Sequence, residues 1–156
     1  MKQQKIANWL KGIVIVLAVL GVLYSIGVHL LPRYIDMETP GNIYGGFNLF
    51  SWWTLLFCYI ILFISWNVCT QIGKGNSFSK ENATSFHRIG LCGIAILFGF
   101  VVEFVWAYIM DYLTVPSIAF IFFKTVVFII FVVLCEALSK LIIHAYEIRQ
   151  ENELTI

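Results

Sequence analysis

The chain has 156 residues, 60% of them hydrophobic and 12% charged, with a formal net charge of +1. A soluble domain of this size carries about 45–50% apolar and about 25% charged residues, so the composition excludes an ordinary water-soluble globule and points to an integral membrane protein. The near-neutral balance also excludes a strongly basic nucleic-acid binder, and no direct contact with nucleic acid is expected.

Lys2, Lys5 and Lys11 precede the first apolar run. Lysines in that place imitate a signal peptide, but the run exceeds the usual apolar region of about 7–15 residues and no Ala-x-Ala site follows, so it reads as a retained span. That span covers about residues 12–31, interrupted by Ser25 and His29 and stopped by Pro32. The stretch from Pro32 to Asn48 holds Pro40, Gly41, Gly45 and Gly46 and reads as a loop. A second span covers about residues 49–72 and is ended by Gly73 and Gly75. The polar connection, residues 73–88, contains Ser79 as an expected N-cap, with Glu81 placed in the first turn where the helix dipole favours an acid. The third helix therefore starts near Lys80 and crosses the bilayer over about 89–110. A turn at Asp111 and Tyr112 leads to a fourth span over about 116–143, with Pro116 as its first residue. Residues 144–156 form a tail, its helix running to about Arg149 and its end acidic.

Short connections between apolar helices favour antiparallel neighbours, so the predicted fold is a single-domain, all-α, integral membrane four-helix bundle. Basic residues orient it. Lys2, Lys5 and Lys11, then Lys74, Lys80 and Arg88, then Lys140 and Arg149 all fall on one side, and only Arg33 falls in the opposite loops. The positive-inside rule then puts both termini and the central connection in the cytoplasm, and the expected location is the cytoplasmic membrane. Trp9, Trp66 and Tyr146 map to the inner interface, and Trp52, Trp53, Trp106, Tyr108 and Tyr112 to the outer one.

Three ionisable residues lie inside spans: Glu103, Lys124 and Glu136. Glu103 precedes Asp111 by eight residues and Lys124 follows Pro116 by eight. In antiparallel neighbours those positions share one depth, roughly 12 Å below the turn. Glu103 and Lys124 are therefore expected to pair, either as an interhelical clasp or as a proton- or ligand-responsive site. Glu136 sits one turn before Lys140, in the favoured order for a helical pair; the other option is a contact from Glu136 to His87 or Arg88. His29, with Tyr24 a turn and a half earlier, reads as an interfacial hydrogen-bonder. Cys58, Cys69, Cys92 and Cys135 lie in apolar runs without Cys-x-x-Cys and read as small hydrophobes. Cys69, His87, Cys92, Cys135 and His144 offer metal-binding atoms but no ligand spacing, so neither metal nor cofactor is expected. Gly90, Gly93 and Gly99 mark close helix packing. Asn82-Ala83-Thr84 matches a glycosylation acceptor, but falls on the cytoplasmic side.

No Gly-x-Ser-x-Gly, His-Glu-x-x-His or phosphate-binding loop is present, so no catalytic residue is assigned and the chain is not expected to be an enzyme. The run Gly75-Asn76-Ser77-Phe78-Ser79-Lys80-Glu81-Asn82, followed by Arg88-Ile89-Gly90, resembles the core of a bacterial family known as domain of unknown function 2975. The ending Glu151-Asn152-Glu153-Leu154-Thr155-Ile156 resembles that family's closing Glu-Asn-Asp-Leu-Thr-Ile, with Glu153 in place of the Asp. The resemblance spans essentially the whole chain. It implies a small four-span membrane protein, mostly of Firmicutes, often encoded beside a small helix-turn-helix regulator of the Cro/C1 type, and it carries no activity. A regulatory partner surface is accordingly expected at Phe78, Phe86, His87 and Arg88 with Glu147, Glu151, Glu153, Leu154 and Ile156; an acidic tail with apolar anchors can dock on a basic DNA-binding domain. The bland option is that the tail folds back and caps the bundle. The second functional reading is a small permease, resistance or immunity protein that uses Glu103 and Lys124. The lipid bilayer is the one partner implied outright, and association with further copies of the chain stays open.

Overall fold

The computed structural model describes residues 2–29, 41–111 and 113–154. Expectations that rest on residues 30–40, Tyr112, Thr155 and Ile156 lie outside the described residues, as do the side chains of His29, Glu153 and Leu154. Four helices account for nearly everything described: α1 (Lys2–His29), α2 (Gly41–Gly73), α3 (Lys80–Ile109) and α4 (Val115–Leu154). Each is long and apolar enough to cross a membrane. The chain is a multi-pass membrane protein with an all-α, four-helix architecture, and the bilayer is its solvent.

The helices run longer than the apolar stretches. Helix α1 starts at Lys2, ahead of the expected start near residue 12. Helix α2 starts at Gly41, so residues 41–48 are helical and not loop. Glycine in a helix costs about 1 kcal/mol. The helix runs through Gly45 and Gly46 all the same, because adding a turn to a helix already formed by the long apolar run costs less than starting one. Helix α4 continues to Leu154, roughly 60 Å at 1.5 Å per residue, twice the thickness of the hydrocarbon core.

Side-chain contacts fix an antiparallel register throughout. The Tyr59 hydroxyl donates to the Ala18 carbonyl at 3.2 Å, tying α2 to α1. The Trp53 indole N–H donates to the Ala95 carbonyl at 3.0 Å, tying α2 to α3. That indole lies where Gly99 has no side chain: a Cβ there would stand 2.6 Å from Trp53 Cδ1. Between α3 and α4, Val132 fills the space over Gly93, and the Phe100 and Phe128 rings meet edge-on with centroids 5.4 Å apart.

Among the described residues only consecutive helices pack on each other: α1 on α2, α2 on α3, α3 on α4. The bundle is therefore an open arc. Helices α1 and α4 stand at its two ends, with a gap between them.

The connection between α2 and α3 is tightly built. Gly75, at φ 85°, occupies the left-handed position that ends α2. Its N–H bonds to the Ile72 carbonyl at 3.0 Å and the Asn76 N–H to the Gln71 carbonyl at 3.1 Å, the pair of bonds of a Schellman motif. Ser79 caps α3, its hydroxyl accepting from the Asn82 N–H at 3.2 Å, and Glu81 stands in the first turn. At the other end of α3, Asp111 takes φ 57°, a left-handed conformation that Asp tolerates, and starts the turn into α4.

Candidate functional site

Two polar constellations stand out, one at each end of the α3–α4 seam. The first is the pair expected from depth matching. The Lys124 ammonium donates to Glu103 Oε2. The Glu103 side chain is 5% exposed and that of Lys124 is 19% exposed. Lys124 Nζ also lies 4.4 Å from the Phe100 ring centroid and 5.6 Å from that of Phe120, a cation held over two aromatic faces. Each charge alone would cost a few kcal/mol at this depth, and the pairing with aromatic shielding offsets that cost.

The pair lines a cleft of about 600 Å³ bounded by all four helices. The cleft is the space left open by the missing contact between α1 and α4. Its charged members, Glu103 on α3 and Lys124 on α4, sit near the end of the bundle that carries the α3–α4 turn, with Ser51 on α2 close to their level; Thr54 lies about a turn deeper and Tyr24 on α1 deeper still. Toward the other end the walls are apolar, with Leu17, Leu20, Leu62, Val127 and Phe131 among them. Sequence reasoning missed Ser51 and Thr54 as members of the cleft wall.

The second constellation fastens the connection. The half-buried carboxylate of Glu136 meets His87 Nδ1 at 3.0 and 3.2 Å. Glu136 thus pairs with His87 and not with Lys140, which is exposed. Gly90 stands beside this contact, with Glu136 Oε2 3.8 Å from where a Gly90 Cβ would be, an ordinary van der Waals distance. The long side chain of Lys140 would in addition lose rotamer freedom in any pairing. Beside this contact the Ser139 hydroxyl donates to the Ala83 carbonyl at 2.8 Å, and Gln71 Nε2 donates to Glu81 Oε2 at 3.0 Å.

Asn82, 1% exposed, is the centre of this region and was read from sequence only as part of a motif. Its Nδ2 donates to the carbonyls of Asn76 and Ser77 at 3.0 and 3.1 Å, while its Oδ1 has no hydrogen-bond partner. Its buried setting, not a sugar acceptor's, explains the residue in the Asn82-Ala83-Thr84 run.

Of the residues expected at a partner surface, Phe78, Arg88 and Glu151 are exposed, Phe86 is half-buried, and His87 is engaged by Glu136. The tail does not fold back: residues 143–152 continue α4 as a helix past the level of Lys80. No group of three or more His, Cys, Asp or Glu side chains suited to a metal occurs among the described residues. The four cysteines are unpaired thiols, with Cys69 and Cys135 buried.

Residues 29–156 match the profile of the family described as "Protein of unknown function (DUF2975)". The match leaves out almost all of α1. No curated protein and no solved structure matches the chain.

Proposed function

From the chain's membership of the DUF2975 family, a family of four-span architecture with no assigned chemistry, we propose that it is a regulatory membrane protein, with both termini and the α2–α3 connection in the cytoplasm of a bacterial cell, that engages a small helix-turn-helix regulator. One observation carries this reading. Helix α4 runs about 12 residues, roughly 18 Å, past the level where α3 begins, judged from the Ser139–Ala83 contact. This puts the exposed, acidic stretch around Glu147 and Glu151 beyond the fastened connection with its exposed Phe78, while the exposed Arg88 lies roughly 12 Å further along α3. A rigid acidic helix next to an exposed apolar residue suits a basic DNA-binding domain and would compete with DNA for it. The orientation rests on the distribution of lysine and arginine, with three basic clusters on one side.

Co-purification from membranes tests the proposal. The full chain should retain a small helix-turn-helix regulator of the Cro/C1 type, and a chain ending at Tyr146 combined with Arg88→Ala should not. Undiminished retention by that variant would refute the reading. Orientation is tested by maleimide labelling of Asn76→Cys and Thr114→Cys in intact cells, with only the second expected to react.

A second reading, a small permease or a resistance or immunity protein, is favoured by a different observation, the placement of Glu103 and Lys124 on the wall of a cleft. In that case Lys124→Met abolishes the phenotype while folded protein stays in the membrane.

A further inference from the structure

We infer that the cleft between α1 and α4 is a binding site for a neutral, hydroxyl-headed lipid with a single hydrocarbon tail, entering sideways from the bilayer. The inference stands whichever of the two readings above holds.

Size and access come first. A volume of about 600 Å³ lies within the range of about 300–1,000 Å³ typical of small-ligand sites. All four helices contribute walls, yet among the described residues no Cα of α1 comes within 8 Å of one in α4. The opening therefore lies between two membrane-spanning helices, and the molecules that reach it are those already dissolved in the lipid.

The polarity of the lining then orients the occupant. Glu103 and Lys124 share one level with Ser51 close by, while Thr54 lies about a turn deeper and Tyr24, three residues past the Gly21 that meets Tyr59, deeper still. From that level toward the connection, α1 supplies Leu17 and Leu20, α2 supplies Leu62, and α4 supplies Val127 and Phe131. Between Lys124 and Phe131 the apolar wall is roughly 10 Å deep. A hydrocarbon tail fits that compartment, with its head beside the charges.

The charges select the head. Glu103 and Lys124 neutralise each other, so the site is electrically balanced before anything binds. An anionic head would leave a net charge at membrane depth, which costs several kcal/mol. A neutral hydroxyl adds none. Lys124 spends one of its three N–H bonds on Glu103 Oε2, and its other contacts are the faces of Phe100 and Phe120. It can donate a further hydrogen bond to a hydroxyl oxygen. A hydroxyl can in turn donate to the remaining lone pairs of the carboxylate. Thr54 has already turned its own proton to the Phe50 carbonyl at 3.0 Å, so its oxygen is an acceptor about a turn below the pair.

Native mass spectrometry of the detergent-solubilised full chain tests this, with monoolein and oleate as probes that share a tail and differ in head charge. One monoolein per chain should bind in preference to oleate. Val127→Trp should weaken monoolein binding by at least about tenfold. Val127 is exposed on the cleft wall, so the added ring fills the tail compartment without disturbing the core or the ion pair. The double variant Glu103→Gln/Lys124→Met should still bind monoolein's tail but lose the discrimination between the two heads. Binding of monoolein by Val127→Trp at the parent's strength would overturn the assignment of the site. Oleate binding as tightly as monoolein to the parent chain would overturn the assignment of the head.

Discussion

Replacing Lys124 by methionine is the sharpest test of how the bundle is held. Methionine keeps most of the volume and removes the ammonium. Glu103, with a side chain 5% exposed, is left facing Phe100 and the cleft without its cation. Breaking a buried ion pair by deleting one partner costs about 3–5 kcal/mol, much of it the uncompensated desolvation of the survivor. Both members are well under one-third exposed, so solvent screening removes little of this. The double variant Glu103→Leu/Lys124→Met removes both charges, and such replacements are neutral or stabilising by about 1–4 kcal/mol when the volume is kept. Unfolding of the micelle-solubilised chain with sodium dodecyl sulfate, followed by helical circular dichroism, reads both. The expected order is the parent and double variant close together and the single variant lower by about 3–5 kcal/mol. A single variant within about 0.5 kcal/mol of the parent would show that the pair is solvated and that the depth argument fails.

Three further outcomes follow from the seams. Gly99→Ala puts a methyl group 2.6 Å from Trp53 Cδ1, so the indole must leave the Ala95 carbonyl; a loss of about 1–3 kcal/mol and a shifted tryptophan emission are expected in the same unfolding experiment. Ser79→Ala removes the cap of α3 and should cost about 1 kcal/mol, with faster hydrogen exchange confined to the Asn82 amide and its neighbours. His87→Ala breaks a contact whose partners are 50% and 41% exposed, so solvent screening limits the loss to about 0.2–1 kcal/mol, and a larger effect would mean that the contact is shielded by something bound to that face.

The parts of this protein that follow from arithmetic along a helix were legible in its sequence. Glu103 and Lys124 flank a short turn at nearly equal distances, and two antiparallel helices turn sequence distance into depth. Ser79 and Gly75 carry local signals that need no tertiary knowledge. The start of α2 was illegible for the opposite reason. Gly45 and Gly46 are strong local breakers, but continuity with the long apolar run that follows overrides them. Glu136 was left between two partners because Lys140, one turn on, is visible in the sequence, while the packing of α4 on α3 that brings His87 within reach is not. The open arc was equally hidden: four amphiphobic helices of this kind close or stay open according to packing across α1 and α4, and neither helix advertises the missing contact.

That missing contact ties the two ends of the molecule together. Helix α4 is held by α3 alone: an apolar seam at Gly93 and Phe100, one ion pair at Lys124, and the polar fasteners at Glu136 and Ser139. The same helix forms one wall of the cleft and carries the acidic projection beyond the connection. A molecule seated in the cleft would add contacts from α1 and α2 to α4 that the chain by itself lacks. It can shift α4 only by as much as it prefers one placement of that helix over another, so occupancy without such a preference leaves the projection unchanged. Measuring regulator retention with and without saturating monoolein therefore separates a lipid that merely fills the cleft from one that reports through α4. Equal retention assigns the lipid to the structure of the bundle, and altered retention makes α4 the element on which both sites act.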